Sequence, residues 1–461
     1  MSFPRVESLP YTPDTPALFG TIAHRPFAAY LDSGIPGALG GRFDILAADP
    51  MSVLVTRGEV TEIITRHRRE VSHGDPFDLL REQLLPHTPS IDGLPFPGGA
   101  IGYLGYDLGR RLETLPVIAQ DDACLPEMVV GIHDWAVVVD HALRKAWFVG
   151  QGRDPETRAR WGELVSRFAS RPRAGPEPGV RLAGPVRSNM SRESYALSFH
   201  RIQRYIRDGD CYQVNLAQRF TAPVEGDPWS IYRALRRVNP APYGAYLSCP
   251  DFQVLSTSPE RFLSVRKGRV TTEPIKGTRP RSQDPDRDRA LAEELRASSK
   301  DRAENLMIVD LLRNDIGKNC AAGSVAVPHL FEVRSFATVH HLVSTVTGKL
   351  DDGRDALHLL AGCFPGGSVT GAPKLRAMEV IEELEPHRRG VYCGAIGYVG
   401  FDGAMDTNIA IRTPVHREGK LSFSAGGGIV ADSVLEEEYR ETYDKAAAVF
   451  EVLGQGIARN G

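Results

Sequence analysis

The sequence has no clustered cysteine. Its six cysteines are scattered over 461 residues, without a CxxC pair and without a Cys/His cluster at the spacing of a zinc site. They are Cys124, Cys211, Cys249, Cys320, Cys363 and Cys393. Dispersed thiols of this kind are typical of reduced side chains in the cytosol, so we expect a cytoplasmic protein without a disulfide framework.

A large excess of charge of either sign is also missing, as is a long apolar run. Lysine and arginine total 55, and aspartate and glutamate total 58, which leaves a formal net charge of −3. The longest apolar run, VVGIHDWAVVVDH, is interrupted by His133 and Asp134, and no basic-then-apolar leader is visible at the N-terminus. The composition therefore predicts neither a nucleic-acid partner nor a membrane partner.

The order of the segments favours an α+β fold. Short β-like runs surround one helical segment between residues 20 and 150, and later strands and helices follow in mixed rather than strict βαβ order. Residues 171–186, RPRAGPEPGVRLAGPV, are rich in proline and glycine and are interpreted as a linker. We therefore predict large antiparallel sheets, with residues 1–170 as an N-terminal subdomain and residues 187–461 as a second region.

A predicted hairpin carries a lysine between proline and glycine, in EPIKGT. A three-residue loop centred on Gly268 would make Glu260 and Lys276 cross-strand neighbours on one face, with Cβ atoms about 4.5–5.5 Å apart. A two-residue turn would place them on opposite faces. The pair is either an exposed ion pair on an edge strand or a nucleophilic amine beside a carboxylic acid that protonates a leaving group.

Two predicted helices each carry a pair of carboxylates on one face. Asp301 and Glu304 lie three residues apart in KDRAEN, and Glu438 and Glu441 lie three residues apart in LEEEYRET. Each pair alone is typical of a solvated helix face. If the helices converge, four carboxylates without Cys or His would require a hard cation, which indicates Mg²⁺ with two direct ligands and two acting through water.

Two glycine-rich stretches, FPGGSVTGAPK and SAGGGIVADS, are predicted to place free backbone N–H groups at strand-to-helix turns, where they can hold an anion. Arg412, on a predicted strand, adds a guanidinium suited to a bidentate carboxylate contact. Tight turns without a ligand are the alternative. Together, these features suit a small dianionic ligand better than a nucleotide.

These motifs occur in an order that resembles the chorismate-utilising enzymes, most strongly the branch that makes aminodeoxychorismate, with the anthranilate synthases as near relatives. The motifs are EPIKGT, KDRAENLMIVDLLRND, HHLVSTVTG, FPGGSVTGAPK, GAIGYVGFDGAMDTNIAIRT and AGGGIVADSVLEEEYRET. The resemblance covers nearly the whole chain and is densest over residues 188–452. It implies a large two-sheet antiparallel α+β sandwich, flanked by helices, to which residues 1–170 contribute and in which residues 187–461 bind chorismate.

The resemblance also implies roles for individual residues. Glu304 and Glu441 would bind Mg²⁺ directly, while Asp301, shorter than the glutamate of anthranilate synthases, and Glu438 would act through water. The two substrate carboxylates would be held by Arg412, Tyr392, Ser368, Lys445 and the backbone of Gly426, Gly427 and Gly428.

Four further positions concern the reaction itself. His341 matches the active-site histidine of this family. Gln213 stands where water-using relatives carry a lysine base, so ammonia is the expected nucleophile. Lys276 matches a lysine that attacks the ring at C2 while Glu260 protonates the departing C4 hydroxyl, after which ammonia enters at C4. The product would be 4-amino-4-deoxychorismate, a precursor of para-aminobenzoate and folate.

The chain shows no glutaminase nucleophile motif, so ammonia is expected from a separate glutamine amidotransferase subunit or from solution. An anthranilate synthase with an atypical lysine and a non-catalytic tryptophan-binding regulatory subunit are the alternatives. Some segments resemble the regulatory tryptophan site of anthranilate synthases, although ordinary turn and core residues explain them equally well. The residues of this predicted tryptophan pocket are Ser33, Arg42, Phe43, Pro240 and Tyr243.

Overall fold

Strands from most of the chain enter two large antiparallel sheets. The structure is a computed structural model that describes residues 4–35, 41–170, 179–336 and 339–454. The strands are β1 (Arg5–Leu9), β2 (Ala29–Asp32), β3 (Phe43–Ala47), β4 (Ser52–Arg57), β5 (Val60–Thr65), β6 (Arg69–Ser72), β7 (Gly99–Leu104), β8 (Met128–His133), β9 (Trp135–Asp140), β10 (Lys145–Gly150), β11 (Arg181–Leu182), β12 (Arg187–Ser188), β13 (Gln213–Glu225), β14 (Tyr243–Ser248), β15 (Gln253–Ser258), β16 (Arg261–Arg266), β17 (Arg269–Thr272), β18 (Ile275–Pro280), β19 (Ala326–Ser335), β20 (Val339–Lys349), β21 (Gly371–Ala372), β22 (Ala395–Gly400), β23 (Met405–Ile409), β24 (Val415–Arg417) and β25 (Lys420–Ile429).

Helices flank both sheets. They are α1 (Thr15–Gly20), α2 (Pro76–Leu84), α3 (Pro155–Ala159), α4 (Trp161–Ala169), α5 (Arg192–Asp208), α6 (Pro228–Val238), α7 (Pro285–Ala297), α8 (Ser299–Gly317), α9 (Ala356–Cys363), α10 (Lys374–Leu384) and α11 (Leu435–Val452), with 3-10 turns at Tyr106–Arg111 and Gly367–Val369. Within the described ranges, none of these helices is long and apolar enough to cross a membrane.

The first sheet has the order β1-β10-β9-β3-β2-β14-β15-β24-β25-β13-β11, and β12 and β21 also pair with β13. The second has the order β18-β20-β17-β16-β23-β22-β7-β8-β4-β5-β6, and β19 also pairs with β20. The N-terminal segment thus contributes strands to both sheets. The predicted two-sheet antiparallel α+β sandwich is confirmed.

The inner faces of the two sheets share one apolar core. Ile45, Val138 and Val254 of the first sheet pack with Tyr103 and Ile396 of the second. A second apolar cluster lies between the first sheet and the helices α1, α4, α6 and α11. A third joins strands of both sheets, such as β13 and β16, to the helices α5, α8 and α10. Each buried aliphatic or aromatic side chain contributes roughly 1.5–3 kcal/mol to stability, so the three clusters stabilise the packing of the sheets and helices.

The predicted linker is only partly described. Residues 171–178 lie outside the described residues. Within 179–186, the short strand β11 pairs with β13 through Arg181 opposite Glu225 and Leu182 opposite Val224. The division of the chain into 1–170 and 187–461 remains a prediction.

The predicted three-residue loop at Gly268 is wrong. Arg266 pairs directly with Arg269, so β16 and β17 are joined by the two-residue turn Lys267-Gly268. Both turn residues have positive φ, 49° and 73°, as a type I′ turn requires. The next strand, β18, pairs with β20 and not with β16, so Lys276 lies opposite Leu342 rather than Glu260.

Candidate active site

Lys276 and Glu260 lie within electrostatic range of each other although they are not cross-strand partners. The backbone N–H of Ile275 donates to the carboxylate of Glu260, which brings the start of β18 against the segment before β16. The charge of Lys276 acts on the carboxylates of Glu260, Glu304 and Glu441. The amine therefore lies among three acids contributed by distant parts of the chain.

The carboxyl group of Glu260 is suited to donate a proton. Glu260 is 7% exposed, and burial raises its pKa above the usual value. A hydrogen bond with Ser368 and the charges of Lys276 and Lys445 oppose this rise without cancelling it. A raised pKa increases the protonated fraction near neutral pH, which a general acid requires.

The two acidic helices converge on β18 and β25. The helix α8 begins after Ser298, whose side chain accepts from the backbone N–H of Asp301 at 3.2 Å. Gly277, at a bulge in β18 with φ 68°, leaves so little room that a Cβ atom there would lie 2.8 Å from Oδ1 of Asp301. The charges of Glu304 on α8 and Glu441 on α11 act on each other, so the two carboxylate pairs lie within electrostatic range.

Burial and mutual repulsion set the charge state of these acids. Burial raises the pKa of Glu304 and of Glu438, and the neighbouring Glu441 adds to both shifts. Burial also acts to raise the pKa of Glu441, but its ion pair with Lys445, 2.6 Å from Nζ to Oε1, outweighs burial and lowers it. Asp301 differs from the other three because Arg279 pairs with it at 3.3 Å.

The acids fit a cation that uses few protein ligands. In the described part of the chain, no three His, Cys, Asp or Glu side chains are arranged to hold a metal ion. Oε2 of Glu438 is nevertheless buried without a hydrogen-bond partner, and a Cβ atom on Gly427 would lie 2.7 Å from it. An unpaired oxygen and closely spaced carboxylates suit Mg²⁺, which commonly binds one or two carboxylates and keeps several waters. The magnesium site stays a prediction.

The second glycine run lies in a strand, not at the predicted strand-to-helix turn. Gly426, Gly427 and Gly428 belong to β25 and pair with Ala217, Leu216 and Asn215 of β13. Strand β24 covers the other edge of β25 only over Lys420–Ser422, so that edge lacks a paired strand at the glycines in the described residues. There the carbonyl of Gly426 accepts from Nζ of Lys445 at 2.8 Å.

Arg412 is an unpaired guanidinium. It follows the end of β23 in a loop with φ 50°, so the prediction that it lies on a strand is wrong. The guanidinium makes one hydrogen bond in the described ranges, to Oδ1 of Asn239, and this bond is long at 3.4 Å. No carboxylate of those ranges pairs with it. Burial lowers its pKa, and its remaining donors are available for an anion.

His341 lies close to Arg412 and is neutral. Burial, with a smaller effect of the Arg412 charge, lowers its pKa to about 4. Its Nδ1 lies 2.9 Å from Oγ1 of Thr278, which orients the ring. The neighbouring His340 contacts Ser335 and Asp288 instead.

Gln213 presents an unsatisfied amide to the glycine run. It is 1% exposed, and neither its Oε1 nor its Nε2 has a partner in the structure. A Cβ atom on Gly428 would lie 2.6 Å from Nε2. Tyr392 is buried in the loop before β22, and Ser368 lies in the 3-10 turn Gly367–Val369.

The predicted tryptophan pocket is part of a cavity of about 1100 Å³. Ser33, Arg42, Phe43 and Tyr243 line it, but Pro240 does not, and Pro242 lines it instead. Two of the polar groups already have partners, because Ser33 Oγ donates to Asp44 at 2.7 Å and Arg42 Nη2 donates to Asp140 at 2.7 Å. The cavity also reaches Pro259 and Ile275, the neighbours of Glu260 and Lys276.

Sequence reasoning missed two residues. The charge of Lys300 acts on the carboxylates of Glu304, Glu438 and Glu441. Its position just before Asp301 could have identified it from the sequence. Arg389 lies behind the site, and nothing in its local pattern distinguishes it from a surface arginine. Only long-range contacts identify it.

Comparisons with known proteins agree with this geometry. The family of chorismate-binding enzymes matches residues 32–451. The chain is 49% identical over 454 residues to aminodeoxychorismate synthase component 1 of Salmonella typhimurium, covering 98% of both proteins. It is 44% identical over 397 residues to anthranilate synthase component 1 of Thermus thermophilus, covering 85% of both.

A solved structure is also similar. Anthranilate synthase component I of Streptococcus pneumoniae superposes with a TM-score of 0.79 at 35% identity, covering 89% of this chain and 92% of that one. The similarity therefore extends over both sheets and the helices that carry the candidate site.

Proposed function

This chain belongs to the chorismate-binding enzyme family, and on that basis we propose that it converts chorismate and ammonia into 4-amino-4-deoxychorismate. The observation that carries the proposal is the position of Lys276, whose charge acts on Glu260, Glu304 and Glu441 at once. The relative in Salmonella typhimurium is named for this synthesis, and it matches nearly the full length of the chain.

The substrate is a dianion, and the site offers cationic groups and backbone donors for it. Arg412 has donors that no carboxylate of the described residues uses, and it would hold one substrate carboxylate. Ser368, Tyr392, Lys445 and the backbone at Gly426, Gly427 and Gly428 would surround the ring and the second carboxylate. His341, neutral near pH 7, can donate or accept a hydrogen bond without adding charge.

Glu304 and Glu441 would hold Mg²⁺ directly, and Asp301 and Glu438 would act through water. When bound, the ion offsets the repulsion among these acids and polarises the ring carboxylate of the substrate.

The first displacement uses Lys276 and Glu260. The unprotonated amine of Lys276 adds at C2, both ring double bonds shift by one position, and the C4–O bond breaks. Glu260 gives its proton to the departing hydroxide, which leaves as water. A poor leaving group needs such an acid, and general acid catalysis contributes about 10²- to 10⁴-fold to the rate.

The second displacement uses ammonia. Ammonia adds at C4, both ring double bonds shift back, and the C2–N bond to Lys276 breaks, which regenerates the free amine. The proton lost from the new ammonium group restores the acid form of Glu260. The unpaired amide of Gln213 would orient ammonia. An amide, unlike a lysine, cannot act as a base toward water, so water would not be activated in its place.

The relatives' designation as component 1 supports a partner subunit for this chain. We infer that the partner is a glutamine amidotransferase that supplies ammonia. The cavity lined by Ser33 and Tyr243 would hold tryptophan, although Ser33 and Arg42 would first have to release Asp44 and Asp140.

The decisive experiment is product analysis. Purified protein is incubated with chorismate, Mg²⁺ and ammonium salt, and the products are separated by chromatography. We expect 4-amino-4-deoxychorismate with no release of pyruvate. Anthranilate with pyruvate would support the second candidate function, which the similarity to the anthranilate synthases favours. Tryptophan binding without any turnover would leave only the regulatory alternative.

A further inference from the structure

A buried arginine behind the site joins several of its parts. Arg389 lies in the loop between α10 and β22, and its side chain is 2% exposed. Its guanidinium makes four hydrogen bonds: Nε donates to Glu385 Oε2 at 2.9 Å, Nη2 to Glu385 Oε1 at 2.6 Å and to the Asn215 carbonyl at 2.8 Å, and Nη1 to the Val369 carbonyl at 2.9 Å.

Each partner of Arg389 is next to a predicted substrate contact. Val369 follows Ser368 in the chain. Asn215 pairs with Gly428 across the β13–β25 ladder. Tyr392 lies beside the guanidinium, 5.7 Å from its carbon to the ring centroid.

Glu385 extends the same connection along β13. Its Oε1 accepts from the backbone N–H of Ala217 at 2.9 Å, and Ala217 pairs with Gly426. The two ends of the glycine run are thus held through β13 by one ion pair. This contact is independent of the helix α11, which carries the acids.

Arginine suits this position for a geometric reason. Its planar group directs five N–H donors at fixed angles from three nitrogens, whereas lysine has three donors on one mobile nitrogen and cannot reproduce these four hydrogen bonds. A small displacement of groups that position a substrate can lower the rate about 100-fold. The network therefore has the geometry to fix the spacing between the 3-10 turn, the glycine run and Tyr392.

We propose that Arg389, supported by Glu385, is a positioning residue that sets the distance between Ser368, Tyr392 and Gly426–Gly428 so that chorismate binds productively. It touches none of the reacting atoms. The inference rests on the proposed function, since it assigns those residues to chorismate.

The test compares Arg389→Lys and Glu385→Gln with Arg110→Lys. Arg110 is a matched control because it forms a largely buried ion pair with Glu382, which lies on α10 three residues before Glu385. Glu382 accepts from the backbone of Ile118 and Ala119 rather than from the site. Three quantities are measured for each protein: the thermal midpoint, the dissociation constant for chorismate by calorimetry, and kcat and KM with ammonium.

We expect all three variants to lose thermal stability to a similar extent. Only Arg389→Lys and Glu385→Gln should weaken chorismate binding about tenfold or more and lower kcat/KM at least as much, while Arg110→Lys stays within twofold of the wild type. If Arg389→Lys does not fold, Glu385→Gln decides the question alone.

Two results overturn the proposal: binding and turnover within twofold of wild type in the Arg389 and Glu385 variants, or an equal loss in Arg110→Lys. A wild type that binds chorismate but forms no aminodeoxychorismate refutes the proposed reaction and leaves the binding comparison to judge Arg389. A wild type that does not bind chorismate refutes both.

Discussion

A Cβ atom on Gly427 would lie 2.7 Å from Oε2 of Glu438, so no larger residue fits there while the Glu438 carboxylate keeps its present position. The nearest backbone offers no such conflict, and the atom in the way is the end of a flexible side chain. An alanine here can therefore be accommodated by turning the Glu438 carboxylate away from its present position.

Gly427→Ala should consequently weaken the response to Mg²⁺ more than it weakens the fold. We expect the Mg²⁺ concentration for half-maximal turnover to rise about tenfold, with a loss of stability of about 1 kcal/mol or less. Magnesium titrations of activity and calorimetric binding measure the first effect. Gly162→Ala, in a helix with nothing within 4 Å of the new Cβ, is the control. An unchanged Mg²⁺ dependence would show that Glu438 takes no part in binding the ion.

Lys276→Ala should remain folded and lose formation of aminodeoxychorismate. The lysine makes no ion pair within 4 Å in the described residues, so its removal sacrifices little stability, while the first displacement loses its nucleophile. Lys349→Ala is the control because it removes an exposed lysine from β20, the strand that pairs with β18. Wild-type turnover in the Lys276 variant, assayed with ammonium, would rule out the nucleophile role.

Glu260 determines how turnover should change at high pH. The carboxyl group must be protonated to act as an acid, and burial raises its pKa, so kcat should be retained below that pKa and lost as pH rises through it. Glu260→Gln should lower kcat by about 10²- to 10⁴-fold and remove this limb of the profile. The check is the pH dependence of kcat for both proteins; an identical alkaline limb in the variant would assign it to another group.

Arg412→Met should have opposite effects on binding and stability. A partly desolvated guanidinium without a carboxylate partner is unfavourable, so the variant should gain about 1 kcal/mol in free energy of unfolding. Its affinity for chorismate should fall about 100-fold, because a charge-assisted contact is lost. Arg236→Met is the contrast: Arg236 pairs with buried Asp32 at 2.6 Å, and its removal should destabilise the fold. Chemical denaturation and calorimetry measure both effects, and a less stable Arg412→Met would contradict the argument.

His133 makes the fold sensitive to acid. It is buried, and no side chain of the described residues forms a hydrogen bond with either ring nitrogen. Burial lowers its pKa from 6.5 to about 4. The folded state therefore favours the neutral ring. The contribution of His133 to the free energy of unfolding is full above pH 6.5, and it is lost between pH 6.5 and 4 because the unfolded chain takes up a proton there. The loss reaches up to about 3 kcal/mol. His133→Gln should reduce the fall in unfolding free energy between pH 7 and pH 5; equal slopes in urea titrations would refute this.

Local patterns predicted the acidic helices but not the exact strand geometry. Helical spacing placed Asp301 with Glu304 and Glu438 with Glu441, because i, i+3 neighbours share a face whatever surrounds the helix. The hairpin register was wrong because a type I′ turn at Lys267-Gly268 and the pairing of β18 with β20 replaced the expected loop. The glycine run was misplaced because pairing with β13 depends on residues about 200 positions away.

The sequence by itself determined the identity of the chemical groups, their order and the family to which they belong. Tertiary structure alone decided which of these groups are buried, which remain unpaired and what lies opposite them. It brought Lys276 to Glu260 through a backbone contact, left Arg412 without a carboxylate, and placed Arg389 between three segments. The physical reason is that desolvation and long-range strand pairing depend on the packed environment, which no local pattern encodes.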